Sequence, residues 1–211
     1  MNPARILLAD DHAVVIEGLR RMLDSPRFEV VGVATDGRAL LEAAARLRPD
    51  IIISDVAMPL LNGIDAAREL RERDPHLKII FLTMHSEVMF ATAALAAGAL
   101  GYVLKSAAGE ELLSAIRHAL QGRVYVSKAI AQSVKHAAEV MPKRGVVNGL
   151  THRQREILQL LAEGRQIKEI ATVLNLSPKT VEFHKYRIMD MLSVHTAADL
   201  TRYALKHGII A

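Results

Sequence analysis

Along the first 120 residues, short apolar runs alternate with longer amphipathic stretches. The runs Arg5–Ala9, Val30–Ala34, Ile51–Ser54, Ile79–Leu82 and Gly101–Leu104 have strand length. They are rich in Ile, Leu and Val without polar alternation, as expected of strands covered on both faces. Between them the pattern predicts helices over 13–24, 37–47, 63–73, 86–97 and 109–121. Arg38–Arg48 and Glu110–Leu120 place apolar residues at spacings of three and four. Five such units predict an α/β domain over residues 1–121: a five-stranded parallel sheet, helices on both faces, joined by right-handed crossovers.

The pattern weakens from Gln121. Val134–Val140 has helical spacing, but Pro142, Gly145 and Gly149 interrupt any helix beyond it, and residues 122–148 are expected to be a linker. Residues 149–211 show only helical signals. Thr151 with Gln154 three residues on forms a capping box, and Gly164 stops that helix. A short helix over 167–174 ends at Asn175. Ser177 followed by Pro178 opens a longer helix to Leu192, and Thr196 caps a last one ending before Gly208. A small all-α domain is the expectation.

Composition narrows the chemistry. The 211 residues contain no cysteine, which excludes disulfides, thiolate metal sites and cysteine nucleophiles and fits a reducing compartment. The N-terminus lacks the build of a secretory signal, and no apolar stretch reaches the ~20 residues that span a bilayer, so a soluble cytoplasmic protein without a membrane partner is expected. The net charge of +4 is unevenly placed: −3 over residues 1–120, +4 over 121–148 and +3 over 149–211. An acidic front with a basic back suits a regulator whose end grips a polyanion.

In a parallel sheet, ligands bind beyond the carboxyl ends of the strands. Asp10 and Asp11 follow the first predicted strand, Asp55 the third, Thr83 the fourth and Lys105 the fifth. Three carboxylates gathered at ~5 Å would repel by roughly 3 kcal/mol per pair at an effective dielectric of ~20. The crowding makes sense around a hard divalent cation, and oxygen ligands suit Mg2+.

These residues carry a resemblance. The pair Asp10-Asp11, the stretch from Asp55 through Met58-Pro59 to Asn62-Gly63, then Thr83 and Lys105 stand in the order found in receiver domains of bacterial two-component response regulators, which have a flavodoxin-like fold. The resemblance covers residues 1–120. It implies that Asp55 accepts a phosphoryl group from a sensor histidine kinase. It further implies that Asp10, Asp11, Asp55 and the backbone carbonyl of Ala57 hold Mg2+, that Lys105 pairs with the phosphoryl group, and that the Thr83 hydroxyl moves in to bond it. Tyr102 resembles the family's switch aromatic, with a simple strand cap as the alternative. His85 stands where the family tunes dephosphorylation, with a solvated loop histidine as the alternative. Ser106 replaces the usual proline after the lysine; without proline a cis bond costs ~3 kcal/mol more, so a trans bond is expected there.

On the helix from Pro178 to Leu192, Val181, Ile188 and Leu192 form one stripe, with His184 and Met191 at its edge. Lys179, Glu182, Phe183, Tyr186 and Asp190 fall opposite, and two aromatics on an exposed face suit contact rather than solvation. A helix of this width fits the major groove. Lys179, Lys185 and Arg187 can meet phosphates, Glu182 a cytosine amino group and Phe183 a thymine methyl. Packing against another protein or against the front domain itself is the alternative. The stretches Leu150–Leu158, Ala162–Arg165, Lys168–Ala171 and Leu176–Met189 resemble the helix-turn-helix domain of LuxR-type regulators, in the NarL/FixJ branch. That likeness implies base-facing positions for Glu182, Phe183 and Tyr186. It implies backbone contacts from Lys168, Lys179, Thr180, His184, Lys185 and Arg187, and a dimer interface on the last helix. Ser193 replaces the usual glycine after the recognition helix.

The joint reading is a transcription regulator, not an enzyme. Phosphorylation of Asp55 controls dimerisation and binding of double-stranded DNA as a homodimer, and RNA polymerase is a further partner. Two other readings compete. A haloacid-dehalogenase-like phosphohydrolase also forms an aspartyl phosphate, but expects two aspartates two positions apart after the first strand, whereas Asp10 and Asp11 are adjacent. An autoinducer-type sensor needs an apolar ligand pocket, which the converging acids disfavour.

Overall fold

The computed structural model describes residues 3–140 and 149–210, and the chain divides into two compact units, residues 1–143 and 144–211. The first alternates strand and helix: β1 (Ala4–Ala9), α1 (Ala13–Met22), β2 (Phe28–Ala34), α2 (Gly37–Leu47), β3 (Ile51–Ser54), α3 (Gly63–Arg73), β4 (Lys78–Thr83), α4 (Val88–Ala96), β5 (Gly101–Leu104) and α5 (Ala108–Leu120). All five strands pair in parallel, in the order β2-β1-β3-β4-β5. The expected five-stranded core is present.

Both sheet faces are buried, which is why the strands read as continuous apolar runs. Leu7, Ile52, Ile79, Phe81 and Tyr102 face the layer of α2, α3 and α4, while Ile6, Leu8, Ile53, Ile80 and Val103 face α1 and α5. These side chains are at most 1% exposed, and each such burial contributes about 1.5–3 kcal/mol. Strand order reverses between β1 and β3, so a crevice opens beyond their carboxyl ends. Asp10 and Asp55 follow those two strands. The loop after Asp55 returns tightly against it: the Gly63 N–H donates to the Val56 carbonyl at 2.8 Å, and a Cβ on Gly63 would lie 2.0 Å from the Asp55 carbonyl oxygen. Only glycine fits there. Asn62 then caps α3 by accepting the Asp65 N–H at 2.9 Å.

The segment expected as a linker is more structured than its sequence pattern suggests. Residues Tyr125–Val126 form β6, parallel to β5, and Lys128–Val140 form α6. Two residues are too few to show a strand pattern. The helix is amphipathic, and Ile130 and Val134, four apart, are buried in the cluster that holds α4. The expected breaks at Pro142 and Gly145, and the linker end near 148, lie outside the described residues.

The second unit is helical, with α7 (His152–Ala162), α8 (Ile167–Leu174), α9 (Pro178–Leu192) and α10 (Ala197–Lys206). The caps act as their residue types suggest. Thr151 accepts from Gln154 N–H, Ser177 from Thr180 N–H and Thr196 from Asp199 N–H. Ser193 ends α9 in the left-handed conformation (φ 53°, ψ 43°), so the helix closes as it would with glycine, with a side chain in a region that disfavours one.

Candidate functional site

Asp10 and Asp55 are almost sealed from solvent, at 2% and 5% exposure, while Asp11 is exposed. The Asp55 N–H donates to the Ala9 carbonyl at 2.8 Å, which ties it to the end of β1. Its Oδ1 accepts the Val56 N–H at 2.6 Å and the Ala57 N–H at 3.4 Å. Its Oδ2 takes a hydrogen bond from Lys105 Nζ at 2.5 Å, and the same ammonium lies 2.7 Å from Asp10 Oδ2. Burial alone would lower the Lys105 pKa; its bonds to Asp10 and Asp55 outweigh that and hold it above the ordinary value. The lysine is therefore a fixed positive charge between two buried acids.

His12, unremarked in the sequence, completes the cluster. Its Nδ1 lies 2.8 Å from Asp11 Oδ1 and 3.1 Å from Asp10 Oδ1, and its N–H donates to Asp10 Oδ1 at 2.9 Å. Ligand atoms of Asp10, Asp11, His12 and Asp55 all lie within 4.8 Å of one another. Three carboxylates on this spacing make a hard oxygen donor set that fits a divalent cation such as Mg2+. The adjacency of His12 to the aspartate pair was the only signal of its place here.

Thr83, fully buried at the end of β4, accepts a hydrogen bond from the His85 N–H at 3.4 Å and makes none to Asp55. Tyr102 is 0% exposed, and its hydroxyl donates to the His85 carbonyl at 2.9 Å. Burial first, then the negative charges of Glu87 and Asp55, push its pKa well up, so the phenol keeps its proton. The ring lies inside the fold rather than capping a strand at the surface. His85 is packed too, stacked on Phe90 with centroids 4.3 Å apart. Lys105, Ser106 and Ala107 form one 3-10 turn leading into α5, and the described residues contain no cis peptide bond, in line with the expectation for Ser106.

In the second unit, Val181 and Ile188 are completely buried, and Leu192, expected on the same stripe, is half-buried. Phe183 and Tyr186 are 56% and 61% exposed on the other side, among exposed Lys179, Glu182 and Arg187. The Arg187 guanidinium lies 5.7 Å from the Phe183 ring centre, and Lys185 Nζ 6.0 Å from that of Tyr186. Thr180 is half-buried, its hydroxyl 2.8 Å from that of Ser177. His184 is half-buried, with an Nδ1 that has no partner among the described residues. Lys185 is also half-buried and joins Arg165 and exposed Lys168 around a concavity of about 570 Å³ at the start of α8. Arg165 is the cation there that sequence reasoning missed.

Comparison with known proteins divides the chain in the same two parts. Residues 6–117 match the response regulator receiver domain, and residues 148–204 match the bacterial regulatory proteins of the luxR family. The response regulator UvrY of Escherichia coli K12 is 34% identical over 207 residues, covering 97% of this chain and 94% of UvrY. The response regulator GacA of Pseudomonas aeruginosa is 35% identical over 208 residues, covering 98% and 97%. Among solved structures, RcsB of Salmonella enterica serovar Typhimurium, bound to a promoter in the presence of the phosphomimetic BeF3−, is similar with a TM-score of 0.61, 30% identity and coverage of 96% and 98%.

Proposed function

Since the chain belongs to the NarL/FixJ family of two-component response regulators, a receiver domain followed by a LuxR-type helix-turn-helix domain, we propose that a phosphoryl group carried on Asp55 controls DNA binding through α9. The observation that carries this reading is the Lys105 ammonium held between Asp55 and Asp10 at the crevice of the parallel sheet. Domain boundaries near 121 and 149 belong to the same reading, with β6 and α6 of the intervening segment packed on the receiver rather than serving as a bare connector.

Transfer needs a nucleophile in line with the leaving group and positive charge near the phosphoryl oxygens. Asp55 is aimed by its own backbone: the Val56 N–H fixes one carboxylate oxygen and Lys105 the other. A bond from an Asp55 oxygen to phosphorus forms as the bond from phosphorus to the kinase histidine nitrogen breaks, and that imidazole keeps the electron pair. Lys105 then follows the charge from carboxylate to phosphate. Asp10, Asp11, Asp55 and the Ala57 carbonyl would hold Mg2+, which supplies further positive charge there. The Thr83 hydroxyl is available to the phosphoryl oxygens after leaving its long bond to His85, and Tyr102 follows as the switch aromatic. The protein acts as a stoichiometric switch, one phosphate per chain, rather than as a turnover enzyme.

For the output, Lys168, Lys179, Thr180, His184, Lys185 and Arg187 contact DNA phosphates, while Glu182, Phe183 and Tyr186 face the bases. A homodimer reads two half-sites about one turn apart. With a sensor kinase, DNA and RNA polymerase as partners, the protein works in the cytoplasm; among the described residues no helix is long and apolar enough to cross a membrane. The test is selection from random duplex DNA with and without acetyl phosphate. The parent chain should enrich one motif more strongly with the donor, and Asp55→Asn should take up no phosphoryl group and lose the difference. Normal labelling of that variant removes Asp55 as acceptor.

A further inference from the structure

The receiver buries one acid that the phosphoryl pocket leaves unused. Glu111, in the first turn of α5, is 6% exposed and forms no ion pair among the described residues. Its carboxylate accepts hydrogen bonds from the Ser127 hydroxyl and from the Lys128 N–H, the latter at 3.2 Å. Ser127 is fully buried and starts α6, its carbonyl accepting the N–H groups of Ile130 and Ala131 at 3.0 Å. It is also bonded twice into β5. Its N–H donates to the Tyr102 carbonyl at 2.8 Å, and its hydroxyl oxygen accepts the Leu104 N–H at 3.1 Å.

A buried carboxylate without a cation is costly unless its oxygens are satisfied. Here it lies at the starts of two helices, whose N-terminal partial charges favour an anion, and two donors reach it. Capping a surface helix requires none of this, because an exposed Ser or Asp is enough. The arrangement achieves something else. It fastens the start of α6 to the strand residue that immediately precedes Lys105 and to the one that bears the buried phenol.

We propose that Glu111 and Ser127 are positioning residues for Lys105: they lock the end of β5 to the start of α6, so that occupation of the Asp55 pocket and the ordering of α6 are coupled. The proposal rests on the phosphoryl-acceptor reading above. Such coupling is reciprocal, so whatever strengthens the docking of α6 strengthens the pocket's grip on phosphate by the same factor.

The test uses the full chain, with Mg2+ and beryllofluoride standing in for the phosphoryl group. Two quantities are read: beryllofluoride affinity, and hydrogen exchange of the amides of residues 128–134. In the parent, beryllofluoride should slow that exchange about fivefold or more. Ser127→Ala should lose the response and bind beryllofluoride weaker by a similar factor. Glu111→Gln should follow it, while Ser127→Thr, which keeps the hydroxyl, should retain both. If the pair is merely structural, Ser127→Ala and Glu111→Gln will unfold more readily yet keep parental affinity and parental exchange response, and that result overturns the proposal. Should Ser127→Ala fail to fold, the nearly isosteric Glu111→Gln carries the same comparison. Absence of beryllofluoride binding in the parent overturns the pocket reading itself, whereas binding with no change in α6 exchange overturns only the coupling.

Discussion

Replacing Lys105 by methionine tests the electrostatics of the pocket directly. Methionine keeps most of the stem and removes Nζ, which lies 2.7 Å from one carboxylate oxygen and 2.5 Å from another. Both acids are nearly sealed, so only what enters from the loop side can stand in for the ammonium. Bare attraction at such distances is roughly 6 kcal/mol per contact at an effective dielectric of 20. Desolvation of all three groups offsets much of it. Removing one member of a buried pair costs about 3–5 kcal/mol, and with two acids deprived at once the upper half of that range is expected. At a urea slope of about 2 kcal/mol/M, the receiver's midpoint should fall by roughly 2 M. The measurement is a urea titration in Mg2+-free buffer, with hydrogen exchange at β3 reporting the receiver alone. Adding Asp10→Asn should return part of the loss by removing one unpaired charge. Mg2+ should raise the midpoint of Lys105→Met more than that of the parent, where the ammonium competes for the same oxygens. A drop under about 0.5 M, or a double variant no more stable than the single one, refutes this account.

Other predictions concern the helical unit. Lys179→Ala should weaken binding to all duplexes and lower the salt slope by about 1, whereas Phe183→Ala should change the selected sequence; paired salt titrations and site selection distinguish the two. Ser193→Gly should stabilise that unit by about 0.5–1 kcal/mol, because relief of left-handed strain exceeds the added freedom of the unfolded chain; an unchanged thermal midpoint would count against it. Burial first, then the Lys206 charge, lowers the His207 pKa below its usual 6.5. A depressed histidine adds its full stability above that value and loses it as pH falls through the folded-state pKa. The helical unit should therefore weaken below about pH 6.5, and His207→Gln should flatten that limb in thermal melts.

Much of the architecture is legible in the chain alone, for physical reasons that differ from place to place. The interior strands announce themselves because both their faces are covered, which leaves little room for polar positions, while edge strand β2 is only partly buried and carries exposed Glu29. Pro178 and the capping residues locate the helices of the second unit to within a residue. The acids were readable because strand ends in a parallel sheet must converge. What stayed hidden depends on contacts remote in sequence. Tyr125–Val126 is too short for any pattern, and it joins the sheet only because β5 offers an open edge. Glu111 and Ser127 are ordinary surface residue types, 16 positions apart, whose burial appears only once α6 packs beside α4. His85 read as a possible loop residue because nothing local signals its stacking on Phe90.

On the phosphoryl-acceptor reading, the place of Asp55 at the end of a four-residue interior strand should govern how long a signal lasts. With partners on both sides of β3, no partial opening exposes the strand without dismantling the sheet. An acyl phosphate there is reached by water only from the loop side. Its lifetime is then a matter of the chemistry at that open side. Mutations that loosen the periphery should shift melting without resetting the clock.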